Sequence, residues 1–160
     1  MTKMYNTKID LDFEKREPII ALLNQQLADT FDLYSQTKQA HWNVKGAQFI
    51  QLHELFDKLA TEVLDYVDTI AERATTLGGT ALGTARMSSD ASRLPEYPDV
   101  VGSMESVQAL VDRYAILAAS SRTAIDTSNE FGDADTADLF TGISRGLDKS
   151  LWFLEAHLQE

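Results

Sequence analysis

From Glu17-Pro18 onward, the apolar residues Ile20, Leu23, Leu27, Phe31 and Tyr34 recur at helical spacing, the mark of one buried helix face. Pro18 suits a first helical turn, where its missing N–H is not needed. The pattern predicts a helix over 17–43. Gly46 interrupts it, and Leu52, Leu55, Leu59, Val63, Tyr66, Ile70 and Leu77 then predict a second helix over 48–77, stopped by Gly78-Gly79. Gly83, Pro95, Pro98 and Gly102 punctuate 80–102, which is too long for a tight turn and suits a crossover holding at most a short helix. Ser103 and Ser106 open a third helix that runs through Val107, Leu110, Tyr114 and Leu117 to Ser128. Gly132-Asp133 opens a fourth, over 134–158, through Leu139, Ile143, Leu147, Leu151 and Leu154. No strand signal competes with these helices. Residues 1–15 are polar, mixed in charge and without a period, so a partly ordered arm is expected there, with the folded domain over 16–160.

A chain of 160 residues fits one hydrophobic core. Two helices, a long crossover and two more helices make an all-α fold with the connectivity of the ferritin-like four-helix bundle. With no cysteine, metal sites would have to use nitrogen and oxygen ligands from His, Asp and Glu. The longest apolar runs, such as Ile19–Leu23, are too short to span a membrane, and the first residues do not form an apolar leader. A soluble, unexported protein is therefore expected. Lys and Arg number 14 against 25 Asp and Glu, for a formal net charge of −11. That balance disfavours nonspecific attraction to nucleic acid phosphates and favours cations.

Candidate chemistry gathers on the second helix. His53 with Asp57 and Asp68 with Glu72 are two i,i+4 pairs, so the members of each lie one turn apart on one face. At about 100° per residue, with Asp57 at zero, His53 falls near −40°, Asp68 near +20° and Glu72 near +60°. The apolar residues Leu52, Leu55, Leu59, Val63, Tyr66 and Ile70 fall between about 160° and 240°, on the opposite side. These candidate ligands therefore point away from their own bundle, whereas an ordinary di-iron bundle directs its ligands inward. The midpoints of the pairs lie about 22 Å apart along the helix, too far to share one metal. A two-fold axis near Glu62–Val63 would bring His53 and Asp57 of one subunit against Asp68 and Glu72 of another, completing two sites. His41, just before the break, is a further candidate. Imidazole with carboxylate suits ferrous iron, and zinc fits the same set.

The run Thr37-Lys38-Gln39-Ala40-His41-Trp42-Asn43-Val44-Lys45-Gly46, with Phe49, Leu52-His53-Glu54, Asp57 and Asp68-Thr69-Ile70-Ala71-Glu72-Arg73-Ala74, resembles the signature of the Dps family. The likeness continues in Leu77-Gly78-Gly79, Ala81-Leu82-Gly83-Thr84, Asp112-Arg113-Tyr114-Ala115, Asp135-Thr136-Ala137-Asp138, Ser144-Arg145, Leu147-Asp148-Lys149 and Leu151-Trp152-Phe153. It covers nearly everything after residue 17. The resemblance implies ferroxidase ligands at His41, His53 and Asp57 of one subunit and at Asp68 and Glu72 of its two-fold partner. It also implies a cytoplasmic dodecameric shell that oxidises Fe(II) with hydrogen peroxide or oxygen, stores ferric mineral and protects against oxidative damage.

The resemblance further suggests that Trp42, beside His41, is an aromatic able to intercept oxidising equivalents, although a packed interface tryptophan is the simpler role. Trp152 is assigned to packing, and His157 to the surface. Asp133, Asp135 and Asp138 fall where family subunits meet around a three-fold pore, so a ring of them would concentrate ferrous ions. The alternative is that they cap the fourth helix and favour its dipole. Family members that condense DNA carry a tail rich in Lys or Arg, whereas this arm offers Lys3 and Lys8 against Asp10 and Asp12. Weak or absent DNA binding is therefore expected. The rival reading is a nucleoid-associated DNA-binding protein whose metal site is mainly structural.

Overall fold

A computed structural model of the chain describes residues 3–159. Its helices are α1 (Phe13–Asn43), α2 (Phe49–Thr76), the short α3 (Ala85–Ala91), α4 (Ser103–Glu130) and α5 (Ala134–Glu155). This is the expected all-α, ferritin-like four-helix bundle, with α3 inside the crossover. Helices α1 and α2 form one packed pair and α4 and α5 the other, with α1 also against α4.

Helix α1 starts four residues before the predicted position, and Pro18 lies inside it. Lys15 N–H and Arg16 N–H both donate to Asp12 O at 3.0 Å, so the first turn closes ahead of the proline. Pro18 then deprives only the carbonyl of Glu14 of its donor, and that residue is exposed to water. Arg16 explains why the chain is helical this early. Buried to 8 % exposure, it donates from Nη1 to Leu77 O at 2.8 Å and from Nε to Leu11 O at 2.9 Å, tying the helix start to the end of α2.

Helix α2 ends in a Schellman motif: Gly79 N–H donates to Ala74 O and Gly78 N–H to Thr75 O, both at 2.9 Å. Gly78 has φ of 87°, a left-handed conformation that glycine adopts without penalty. Tyr5 N–H donates to Gly78 O at 2.7 Å, so residues 3–11 lie across this helix end. At the other end of the bundle, Lys45 N–H donates to Val101 O at 2.8 Å and Ser103 Oγ to Lys45 O at 2.7 Å. These bonds bring the crossover back to the α1–α2 turn. Ser103 therefore anchors that junction instead of capping α4, whose N-cap is Gly102.

Leu23, Leu27, Leu52, Phe56, Leu59, Val63, Leu110, Tyr114, Phe140 and Leu147 form the centre of the core. On α2 the buried stripe includes Phe56 and Ala60, while Leu55 and Tyr66 are only partly covered at its edge. Tyr66 leans on α5 at Gly146, where any Cβ would collide with the tyrosine hydroxyl. Among the described residues, no helix is long and apolar enough to cross a membrane.

Candidate metal centre

The last turn of α1 and the first turns of α2 bring two histidines together. The carbonyl of His41 is one of the orphan acceptors at a helix C-terminus, because Lys45 N–H, its usual donor, has gone to Val101 O. His53 Nδ1 takes up that carbonyl at 2.9 Å, and His41 Nδ1 reaches His53 O at 2.7 Å. A carbonyl only accepts, so each Nδ1 carries a proton, and Nε2 is the nitrogen left for a metal when the ring is neutral. This reciprocal bonding fixes the tautomer that a metal-ligating histidine needs. The rings stack with centroids 3.9 Å apart and planes at 20°, and Phe49 lies 5.2 Å from the His53 ring.

His41 Nε2 lies 3.8 Å from Asp57 Oδ1. The same oxygen accepts from Lys38 Nζ at 2.7 Å. That hydrogen bond holds the Asp57 carboxyl below the usual carboxylate range, with the charges of Lys38, His41 and His53 adding to it against a desolvation penalty. Asp57 thus stands charged beside the Nε2 of His41. Sequence reasoning overlooked Lys38, although its position three residues before His41 places it on the same side of α1.

Asp68 and Glu72 lie on the second half of α2, exposed and making no ion pair among the described residues. The single chain stacks His41 on His53 and sets His41 Nε2 3.8 Å from Asp57, and leaves the other two apart. Among the described residues, no three His, Asp or Glu side chains are grouped to hold a metal.

The stripe of candidate ligands carries a second signal that the sequence reading passed over. Ile50 and Leu64 fall near +20° and −20° on the same wheel, between the polar candidates. They are 53 % and 42 % exposed, and Phe49 and Trp42 are exposed as well. An amphipathic helix that buries its apolar stripe in its own bundle has no need of a second one facing water.

Trp42 has 66 % of its surface exposed, and its ring centroid lies 5.6 Å from Lys38 Nζ. Trp152, assigned to packing, is instead 61 % exposed, tilted against Phe153 on the outward side of α5. His157 is exposed at the chain end, with Nδ1 on Phe153 O at 2.7 Å.

The three aspartates at the start of α5 are not equivalent. Asp133 is buried and caps the helix, accepting from Thr136 N–H at 3.0 Å, and it pairs with Arg73 at 2.8 Å. Asp135 and Asp138 are exposed. The carboxylate of Asp133 is therefore occupied within its own subunit, leaving two of the three open to solvent.

The fold and this arrangement have counterparts. The sequence profile of the ferritin-like domain matches residues 20–160. The "DNA protection during starvation protein" of Agrobacterium fabrum is 50 % identical over 99 % of this chain and 98 % of its own length. The protein of the same name from Brevibacillus brevis is 36 % identical over 88 % of this chain and 95 % of its own. A crystal structure of a Dps protein from Vibrio cholerae O1, described as a member of a broad superfamily of ferritin-like diiron-carboxylate proteins, superposes with a TM-score of 0.91 at 30 % identity, covering 99 % of this chain and 100 % of that one. By its sequence over nearly its whole length and by its fold, the chain belongs to the Dps family within the ferritin-like superfamily.

Proposed function

We propose that the protein is a ferroxidase and iron store. Ferrous iron binds between His41, His53 and Asp57 of one subunit and Asp68 and Glu72 of its two-fold partner. Hydrogen peroxide or oxygen oxidises it there, and ferric mineral is retained in a dodecameric shell. The observation that carries this reading is the composition of the outward stripe of α2. It alternates ligand-type residues with the exposed apolar residues Ile50 and Leu64, as a self-complementary contact would, and its two polar pairs sit on either side of the stripe's midpoint. The diiron-carboxylate description of the Vibrio cholerae relative supports the same chemistry.

Each peroxide takes one electron from each of two ferrous ions, its O–O bond breaks, and hydrolysis of the ferric products to oxyhydroxide releases protons. The protein's share is to hold the ions: neutral Nε2 donors from a locked pair of histidines, and carboxylates that offset the charge gained on oxidation. Zinc(II) fits the same ligands as an inert competitor. Both reactants of hydroxyl-radical chemistry are consumed, which accounts for protection against oxidative damage. Asp135 and Asp138, exposed at the start of α5, would attract ferrous ions at a three-fold inlet, and Trp42 lies beside the site as an oxidisable aromatic.

DNA binding is weak in this reading. The arm is tied down at Tyr5, Lys3 Nζ lies 4.9 Å from the Tyr5 ring centroid, and the chain carries a net charge of −11. The functional test is to add ferrous iron anaerobically and then compare peroxide with air by ferric absorbance. The protein should accelerate oxidation over a protein-free control, with zinc suppressing the gain. No acceleration by either oxidant would contradict the ferroxidase reading.

A further inference from the structure

A cavity of about 390 Å³ opens between α1 and α3, with part of the crossover as its third wall. None of the candidate metal ligands lines it. Its charged groups are Asp32 on α1 and Glu96 in the crossover, with no Lys, Arg or His on its walls. Neither carboxylate takes part in an ion pair among the described residues. The arginines nearby are committed elsewhere: Arg93 pairs with Asp29, and the buried Arg113 donates to Gln36 Oε1 and to Glu96 O. Asp32 is held by the walls themselves, accepting from Ser92 Oγ at 2.6 Å and from Gln36 Nε2 at 3.1 Å. One hydroxyl is left over. Helix α3 turns Ala85, Ser88, Ser89 and Ser92 toward the cavity, the spacing of one helical face. Ser88 is 1 % exposed, and its Oγ has no hydrogen-bond partner among the described residues. A buried hydroxyl without a partner costs free energy, so this wall is incomplete as it stands.

These walls select among ligands. Two uncompensated carboxylates repel anions. A hard metal ion takes about six to eight oxygens or keeps its waters, and Asp32 already accepts a hydrogen bond at each of its oxygens. A primary ammonium asks for less: its three N–H groups donate to carboxylate and hydroxyl oxygens through their spare lone pairs. Carboxylates on two different walls suit two such groups. Phe31 and Leu94 add apolar surface for the chain between them, and a cavity of this size holds far more than one water. We propose that the cavity between α1 and α3 binds a small aliphatic diamine, with Asp32 and Glu96 as its counter-charges and Ser88 Oγ as an acceptor for one ammonium. The ligand bridges α1, α3 and the crossover, and so stiffens the segment that links the two helix pairs.

The test is calorimetric titration of 1,4-diaminobutane into the assembled protein at low ionic strength. The diamine should bind, and 1,4-butanediol, of the same length without the charges, should not. Ser89→Phe places a ring over the cavity from an exposed position and should abolish binding. Ser88→Ala should weaken binding about ten-fold, the scale of a hydrogen bond to a charged group. Without ligand that variant should melt no lower than the wild type, because the hydroxyl holds nothing in the free chain. Glu96→Gln should weaken binding about two- to five-fold, the range of an exposed ion pair. Glu130→Gln removes the same charge from the exposed end of α4 and should leave the affinity unchanged. No binding of the diamine to the wild type, or equal binding of the diol, would overturn the proposal. Affinity indifferent to both Ser89→Phe and Ser88→Ala would overturn it too, by placing the amine on the acidic surface at large. Magnesium(II) binding that Ser89→Phe abolishes, with no binding of the diamine, would give the cavity to a hard cation instead.

Discussion

Asp57, in the first half of α2, is gripped by Lys38 at 2.7 Å and has His41 Nε2 at 3.8 Å, whereas Asp68 and Glu72, in the second half, stand exposed without an ion pair among the described residues. One helix thus carries an acidic half-site assembled by its own chain and another that its own chain leaves bare. Their neighbours differ in the same way. Around Asp57 the chain supplies a stacked histidine pair and a lysine. Around Glu72 it supplies Arg73, but turns that side chain inward to the buried Asp133 at 2.8 Å. The difference is what the proposed function requires, a second half-site left for another subunit to finish, with the exposed Leu64 between the halves where a second copy would sit.

The most drastic way to break this comparison is to remove the contact itself. Leu64→Glu would place like charges opposite each other near the two-fold axis, and the shell should fall apart to smaller species on size-exclusion chromatography while far-ultraviolet dichroism stays helical. An intact shell would move the interface elsewhere. Next in size is Asp68→Asn with Glu72→Gln. Zinc affinity should fall by at least about ten- to a hundred-fold, the scale on which even outer partners of a metal site act. Subunit stability should change by no more than about 0.5 kcal/mol, since these carboxylates hold nothing in their own chain. A large loss of stability with affinity intact would reverse the assignment.

Arg73→Met sharpens the contrast from the other side. It leaves Asp133 buried without its partner, so thermal unfolding at fixed protein concentration should show a loss of about 3 kcal/mol with zinc binding retained. An unchanged melting temperature would mean that the pair contributes no net stability. The smallest effect is expected at the start of α5. Asp135→Asn with Asp138→Asn should slow iron uptake a few-fold at low ionic strength and less at high, because only distant attraction is lost. Asp133→Asn should act as a stability variant instead. Uptake indifferent to the first pair at any salt concentration would remove the inlet role.

Much of this was readable from spacing alone. Period and glycine placement located the four long helices, because Gly78 and Gly132 end their helices in left-handed turns that few other residues adopt easily. The wheel of α2 placed its stripe of candidate ligands opposite the core. The start of α1 was not legible, since it depends on Arg16 reaching residue 77, a contact with no local signature. The unequal roles of Asp133, Asp135 and Asp138 were hidden for the same reason: a buried arginine partner decides among residues of one type. Lys38, three residues before His41, and the exposed Leu64, near −20° on the α2 wheel, are both legible by the same angular arithmetic.

The claim that two copies share each site is tested most directly by complementation. One variant carries His53→Ala with Asp57→Ala, the other Asp68→Ala with Glu72→Ala. Each alone contains only broken sites, so each should oxidise ferrous iron no faster than a protein-free control. In a mixed dimer the intact halves meet at one of the two sites, so random co-assembly of equal amounts should restore about a quarter of all sites. Differently tagged subunits verify the mixing before rates are compared. Ferric absorbance after peroxide addition should then rise to roughly a quarter of the wild-type rate, by the same symmetry argument. Verified mixed shells as inactive as their parents would show that the two halves of α2 do not meet across subunits.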